Sequence, residues 1–164
     1  MKKIKFKNIK VLFLDFDGVL TDNKVIVNEK GIESVRCSRS DSLYSDMIKN
    51  KFSLKLIVIS SEKNRVVEVR CQKMKLPFIH GVSDKLKSIN KFLIKNNLNF
   101  QNLAYIGNDL NDLEVMKKCN FKICPYDSVP EIKKISNLVL KTKGGDGVLK
   151  EVFNEFSKKK YEQH

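Results

Sequence analysis

The sequence predicts an α/β fold: a doubly wound, mostly parallel sheet with a β-hairpin insertion and no large cap domain. Three observations lead there. Short apolar runs alternate with segments of helical periodicity along the chain. The helical segments are about ten to fifteen residues long, enough for right-handed crossovers between parallel strands. Polar clusters stand just beyond several apolar runs, where open α/β sheets bind their ligands.

Taken in order, Ile9 to Phe16 reads as a buried strand that ends at acids. Val25-Ile26-Val27 and Ile32 to Val35, joined by the turn Asn28-Glu29-Lys30-Gly31, predict a hairpin over 24–36. Ser40 or Asp41 can cap a helix running to about Asn50. Leu54 to Ile59 is a second buried strand, and Asn64 can cap a helix to Lys75. Phe78-Ile79 is a short strand, after which Ser83 opens a helix to about Asn96. Leu103 to Ile106 is a strand ending at Gly107, followed by a helix from Leu110 to Lys118. A strand at Phe121 to Cys124, a helix after Ser128, a strand at Leu138 to Leu140 and a helix from Gly147 to Lys158 complete the pattern. Only the extreme ends, including the stretch SKKKYEQH, read as frayed.

The 164 residues suit one domain over 1–164 with a core from about 9 to 156, too short for a core plus a separate cap. No apolar run approaches the roughly 20 residues that span a bilayer, and the basic N-terminus lacks a signal peptide's long apolar stretch. A cytoplasmic protein with no membrane partner is expected. The net charge of +13 comes from 28 Lys and only 4 Arg spread among 15 Asn, unlike an Arg-rich nucleic-acid surface. No nucleic-acid partner is expected. Cys37, Cys71, Cys119 and Cys124 form no CxxC pair and read as reduced structural thiols. With only His80 and His164, histidine-based catalysis is not expected.

Four polar clusters carry chemistry: Asp15-Phe16-Asp17-Gly18, Ser60-Ser61, Lys85, and Gly107-Asn108-Asp109 with Asp112. Two carboxylates flanking one residue at a strand end project similarly and repel when unpaired. A hard divalent cation relieves that repulsion, and Mg2+ takes one or two carboxylates together with phosphate oxygens. Asp-Gly is also a common turn pair. Its place at the end of the first apolar strand, within DFDGVLTD, favours chemistry over a plain turn.

With these motifs in order, the chain resembles the haloacid dehalogenase superfamily of phosphatases from about Ile9 to Phe156. It is most similar to the small capless subfamily acting on 8- or 9-phosphorylated keto-deoxy sugar acids. That resemblance implies a Rossmann-like core, a Mg2+ cofactor and hydrolysis through an aspartyl-phosphate. Asp15 would be the nucleophile and Asp17 the general acid and base, its backbone carbonyl also on the metal. Ser60 would donate to a phosphate oxygen, and Lys85 would offset phosphate and carboxylate charge. The family often has two successive acids after the motif-four glycine. Here Asn108 takes the first place, so either Asn108 binds the metal, with Asp109 and Asp112 behind it, or Asp109 takes over.

The stretch SSEKNRVVEVRCQKM bears on the substrate. The octulosonate 8-phosphate branch has Gly-Arg after the motif-two Ser/Thr, whereas the nonulosonate 9-phosphate branch, whose substrates are of sialic-acid type, has Glu at the second position, as Glu62 is here. Arg70 and Lys73 also match the nonulosonate branch and would bind the substrate carboxylate, both sharing one helix face. The resemblance further implies a homotetramer in which the hairpin packs on a neighbour and subunits close one another's sites. A phosphorylated sugar acid feeding surface-polysaccharide synthesis is thus the expected substrate. Two readings from other classes stand beside it: a receiver-like phospho-signalling domain, and a catalytically silent binding protein. Gly144-Gly145-Asp146-Gly147 is similar to the family's glycine-rich tail, except that Asp146 stands where a basic residue is usual.

Overall fold

The computed structural model describes residues 8–161. Six parallel strands form one sheet: β1 (Val11–Leu14), β4 (Lys55–Ile59), β5 (Phe78–Ile79), β6 (Leu103–Ile106), β7 (Phe121–Cys124) and β8 (Leu138–Val139). Their order is β5-β4-β1-β6-β7-β8. The sheet is therefore wholly parallel among the described residues, and β1 is its centre. Val11 pairs with Lys55 on one side and Leu103 on the other. Continuous apolar runs suit such strands, because helices cover both faces.

The alternating side chains of β1 seed two cores. Leu12 and Leu14 join Val58, Ile106 and Ile123 under α1 (Ser40–Phe52), α2 (Val66–Lys73) and α6 (Val148–Tyr161). Val11 and Phe13 join Ile57, Ile59 and Tyr105 under α3 (Lys85–Lys95), α4 (Leu113–Lys118) and α5 (Pro130–Ile135). The chain runs outward from β1 to β5 and returns to β6 on the other flank, so its switch point lies between β1 and β6. The crevice beyond their carboxyl ends is the place for a ligand.

Several boundaries differ from expectation. The cap position of α1 is Arg39, without a side-chain cap bond, while the buried Asp41 instead accepts from Leu149 N, 3.1 Å away, at the start of α6. The cap position of α2 is likewise Arg65, without a side-chain cap bond, and Asn64, one residue earlier, accepts from Val66 N at 3.1 Å in a local turn. Asp84, one residue after Ser83, caps α3 through Lys87 N. Leu110–Asp112 forms a 3-10 turn before α4. The helix α6 continues through Tyr161, past the Ser157 at which fraying was expected, while residues 1–7 and 162–164 lie outside the described residues.

The predicted hairpin exists as β2 (Ile26–Val27) paired antiparallel with β3 (Glu33–Ser34). Among the described residues it alone stands where a cap would be inserted. All four described cysteines are free, and no described helix is long and apolar enough to cross a membrane.

Candidate active site

The crevice is a cleft of about 410 Å3, within the size range of small-molecule sites. It brings together Asp15 and Asp17 after β1, Ser60 and Glu62 after β4, and Asn108 and Asp109 after β6. Ser61, expected as part of the Ser60-Ser61 cluster, also lines it, with two residues not singled out from the sequence, Asn23 and Asn111.

Asp15 is 3% exposed. Its amide continues the sheet to Ile106 O at 2.9 Å, and its Oδ1 accepts from Phe16 N at 2.8 Å. Lys85 Nζ, sealed behind it, lies 2.7 Å from Asp15 Oδ1 and 2.8 Å from Asp112 Oδ1. The buried Asp112 organises this layer. Its Oδ1 also accepts from Tyr105 Oη at 2.6 Å, and its Oδ2 from Asn108 N at 2.9 Å. Gly107 permits this approach, since a Cβ there would stand 2.5 Å from Asp112 Oδ2. Burial and the Asp112 charge push the Asp15 carboxyl well above the usual carboxylate range, against the pull of Lys85. Burial lowers the Lys85 ammonium, but Asp15 and Asp112 outweigh it and hold the group above its ordinary value. Two carboxylates facing one ammonium leave an excess of negative charge.

Asp17 is half-buried. Burial raises its carboxyl and nearby Glu62 adds to the shift, while the Thr21 hydroxyl, donating to Oδ1 at 3.2 Å, opposes it. A carboxyl raised in this way, at the cleft wall, suits proton transfer. Thr21 also accepts from Gly18 N and Asn23 N, both at 3.2 Å, and so ties the whole turn together. Ser60 Oγ accepts from Glu62 N at 3.0 Å, which leaves its hydroxyl proton available to a ligand. Glu62 Oε1 is fixed by Lys63 N and Asn64 N at 2.7 and 2.8 Å.

Asn108 and Asp109 are placed differently. Turned one way, the Asn108 amide donates to the Asp17 carbonyl oxygen at 2.8 Å and to Asp15 Oδ2 at 3.3 Å. Turned the other way, it adds a third oxygen to that pair. Such spacings match the edge of about 3 Å expected for an octahedron with metal–oxygen bonds near 2.1 Å. Among the described residues no three His, Cys, Asp or Glu side chains cluster as metal ligands. The oxygens gathered here come instead from one carboxylate, one backbone carbonyl and one amide. The donor set therefore fits a hard divalent cation. Asp109 lines the cleft but its Oδ1 is held by Leu110 N at 2.7 Å.

Arg70 and Lys73 are not brought to this lining within the chain. Arg70 Nη2 donates to Ser38 O at 2.7 Å, and Lys73 is exposed. The cleft's far wall is braced from the glycine-rich loop. Gly145 N donates to Val19 O at 3.0 Å, Asp127 Oδ1 accepts from Gly144 N at 2.9 Å, and a Cβ on Gly144 would stand 2.2 Å from Gly18 O. Asp146 meets Arg36 at 3.8 Å, and Arg36 also holds Asp22 at 3.1 Å. Sequence reasoning missed Thr21 and Tyr105. Thr21 stands inside DFDGVLTD, whereas Tyr105 gave no sign beyond its place in a strand.

The family profile described as haloacid dehalogenase-like hydrolase matches residues 48–152. The 3-deoxy-D-manno-octulosonate 8-phosphate phosphatase of Escherichia coli K12 is 30% identical over 149 residues, 90% of this chain and 79% of that protein. The enzyme of that name from Moraxella catarrhalis, solved with a magnesium ion, a phosphate ion and a KDO molecule, superposes with a TM-score of 0.87 at 28% identity. The match covers 94% of this chain and 88% of that one. A cobalt-bound octulosonate 8-phosphate phosphatase from Haemophilus influenzae, at 24% identity and a TM-score of 0.86, shares the fold over 94% of this chain and 90% of its own.

Proposed function

We propose, from the premise that this chain belongs to the haloacid dehalogenase-like hydrolases and is a phosphatase of that superfamily, that it hydrolyses the phosphate monoester of a keto-deoxy sugar acid through an aspartyl-phosphate on Asp15. The observation that carries this reading is the buried Asp15 carboxylate, flanked by Lys85 and facing the oxygens of Asp17 and Asn108.

A carboxylate oxygen of Asp15 forms a bond to phosphorus as the ester P–O bond breaks, and Asp17 gives its proton to the departing alkoxide. Asp17 then takes a proton from water as that water attacks phosphorus, which releases inorganic phosphate and restores Asp15. Ser60 donates a hydrogen bond to a phosphoryl oxygen. Lys85, held by Asp112, keeps positive charge against Asp15 throughout. Asp15, the Asp17 carbonyl and Asn108 would hold Mg2+, with Asp109 at the rim. The bound ion would neutralise charge on the phosphoryl oxygens.

For the sugar, Glu62 on the cleft wall favours a nonulosonate 9-phosphate. The names of the relatives favour octulosonate 8-phosphate as the second reading. The acid group of either substrate meets no Lys or Arg among the described residues that line the cleft in the single chain. The hairpin exposes Val25, Ile26, Val27 and Ile32, each more than half accessible, and suits a homotetramer in which neighbours close the cleft. Arg70 and Lys73 would then serve as carboxylate ligands only in such an assembly. Phosphate release from octulosonate, nonulosonate and common sugar phosphates, with Mg2+ and with a chelator, tests the reading. Turnover confined to esters without an acid group, or unaffected by chelation, would defeat it.

A further inference from the structure

We infer that Asn23 is a specificity-determining residue that receives the hydroxyl groups of the leaving alcohol, an inference that rests on the phosphatase reading and extends it. Asn23 stands in the left-handed region, with φ of 60°, a conformation uncommon outside glycine. Its backbone N–H donates to Thr21 Oγ1, the same oxygen that donates to Asp17. The turn is thereby fixed by the backbone and the Thr21 hydroxyl. An asparagine in such a turn ordinarily bonds its own side chain back to the main chain. Here no described group hydrogen-bonds the Asn23 amide, which is exposed and lines the cleft beside Asp17 and Glu62.

A free amide at a site wall offers two donors and an acceptor, the complement of neighbouring hydroxyls. The charge around it sharpens the assignment. Asp17, Glu62 and Asp109 line the same cleft, Lys85 is sealed behind Asp15, and among the described residues no Lys or Arg lines it. A second anionic group is repelled there, so the face of the substrate that meets Asn23 is its uncharged, hydroxyl-bearing part. Its carboxylate points away from this wall. Because Asn23 and Asp17 share Thr21, a leaving alcohol held by the amide sits next to the group that protonates it.

Asn23→Gly removes the amide and keeps the backbone, since glycine adopts this φ without strain. The measurement is the ratio of kcat/KM for polyhydroxylated phosphate esters, neutral polyol phosphates and sugar-acid phosphates alike, to that for phenyl phosphate. The expected result is a fall of about tenfold in that ratio, carried mainly by KM, the loss of one or two net hydrogen bonds. The thermal midpoint is followed alongside as a control on folding. An unchanged ratio overturns the inference. Wild-type turnover of neutral polyol phosphates but of no sugar-acid phosphate would remove the acid from the substrate class proposed above, and the ratio on the polyol esters would still decide Asn23.

Discussion

Asp112 holds Lys85 from behind, with Nζ 2.8 Å from Oδ1, and neither side chain reaches solvent to more than 2%. The pair aims the ammonium at Asp15 without touching the cleft itself. Asp112→Asn leaves Tyr105 and Asn108 a partial partner but strips Lys85 of one counter-charge in a buried layer. A stability loss of about 3 kcal/mol is expected in denaturant titration, with a fall in kcat of about a hundredfold or more. Retention of both would show that Lys85 is held by Asp15 alone.

Asp15→Asn removes the attacking carboxylate and keeps its shape. Turnover should fall by roughly three orders of magnitude or more, while unfolding midpoints stay close to wild type, because the neutral amide relieves the burial and the Asp112 repulsion that push the Asp15 carboxyl up. Retained turnover would rule out covalent catalysis by this residue.

Glu62→Ala should lower kcat/KM for a sugar-acid phosphate more than for a generic aryl phosphate. The Lys63 and Asn64 amides fix its carboxylate at the cleft wall, where under the proposed reading it would meet the sugar and not the phosphoryl group. A loss of about five- to tenfold on the sugar ester is expected. Equal losses on both esters, measured side by side, would remove the specificity argument.

Gly144→Ala drives a methyl into Gly18 O, at 2.2 Å before relaxation. One of the two loops must yield. Overpacking of this kind costs about 1–3 kcal/mol. Displacement of the turn that carries Asp17 is expected to lower kcat about tenfold while KM changes less. A variant with a lowered melting temperature and wild-type kcat would show the brace to be structural alone.

Asp41 supplies a pH test. Burial pushes its carboxyl up to about 6, against the pull of the Leu149 amide and Arg70. A folded value above the unfolded 3.8 means that folding favours the protonated acid. The contribution to stability is full below 3.8 and is lost as pH rises through about 6. Asp41→Asn keeps an acceptor for Leu149 and does not ionise. It should therefore be more stable than wild type at pH 8 by up to about 3 kcal/mol, with a smaller gain at pH 5. Denaturant unfolding of both proteins at the two pH values checks the sign. A gain that grows toward acid would refute it.

The fold was legible where strands are buried on both faces. Leu103 to Ile106 is an uninterrupted apolar run, fully buried, and it became a strand at the expected place, as did the half-buried pair Phe78-Ile79 and the run Phe121 to Cys124, which Lys122 interrupts. Caps were less legible, because a polar side chain near a helix start can serve another element. Asp41 bonds Leu149, 108 residues away. In the site, the order of Asp15, Ser60, Lys85 and Gly107 along the chain was enough to gather them, since each follows or precedes a strand end. Backbone direction, which the sequence does not carry, separates Asn108 from Asp109: Asp109 begins the 3-10 turn, and its Oδ1 accepts from Leu110 N. Arg70 and Lys73 share a helix face as expected, yet Arg70 is engaged by the Ser38 carbonyl, a contact that local spacing does not reveal.

The brace between the glycine-rich loop and the turn after β1 has a consequence for synthesis on the ribosome. Every motif side chain has been polymerised well before Gly144 and Gly145 appear, yet the turn they support waits for them. Competence for turnover should therefore arrive late and abruptly, when the stretch beyond β8 emerges and docks, and not gradually as each motif is translated.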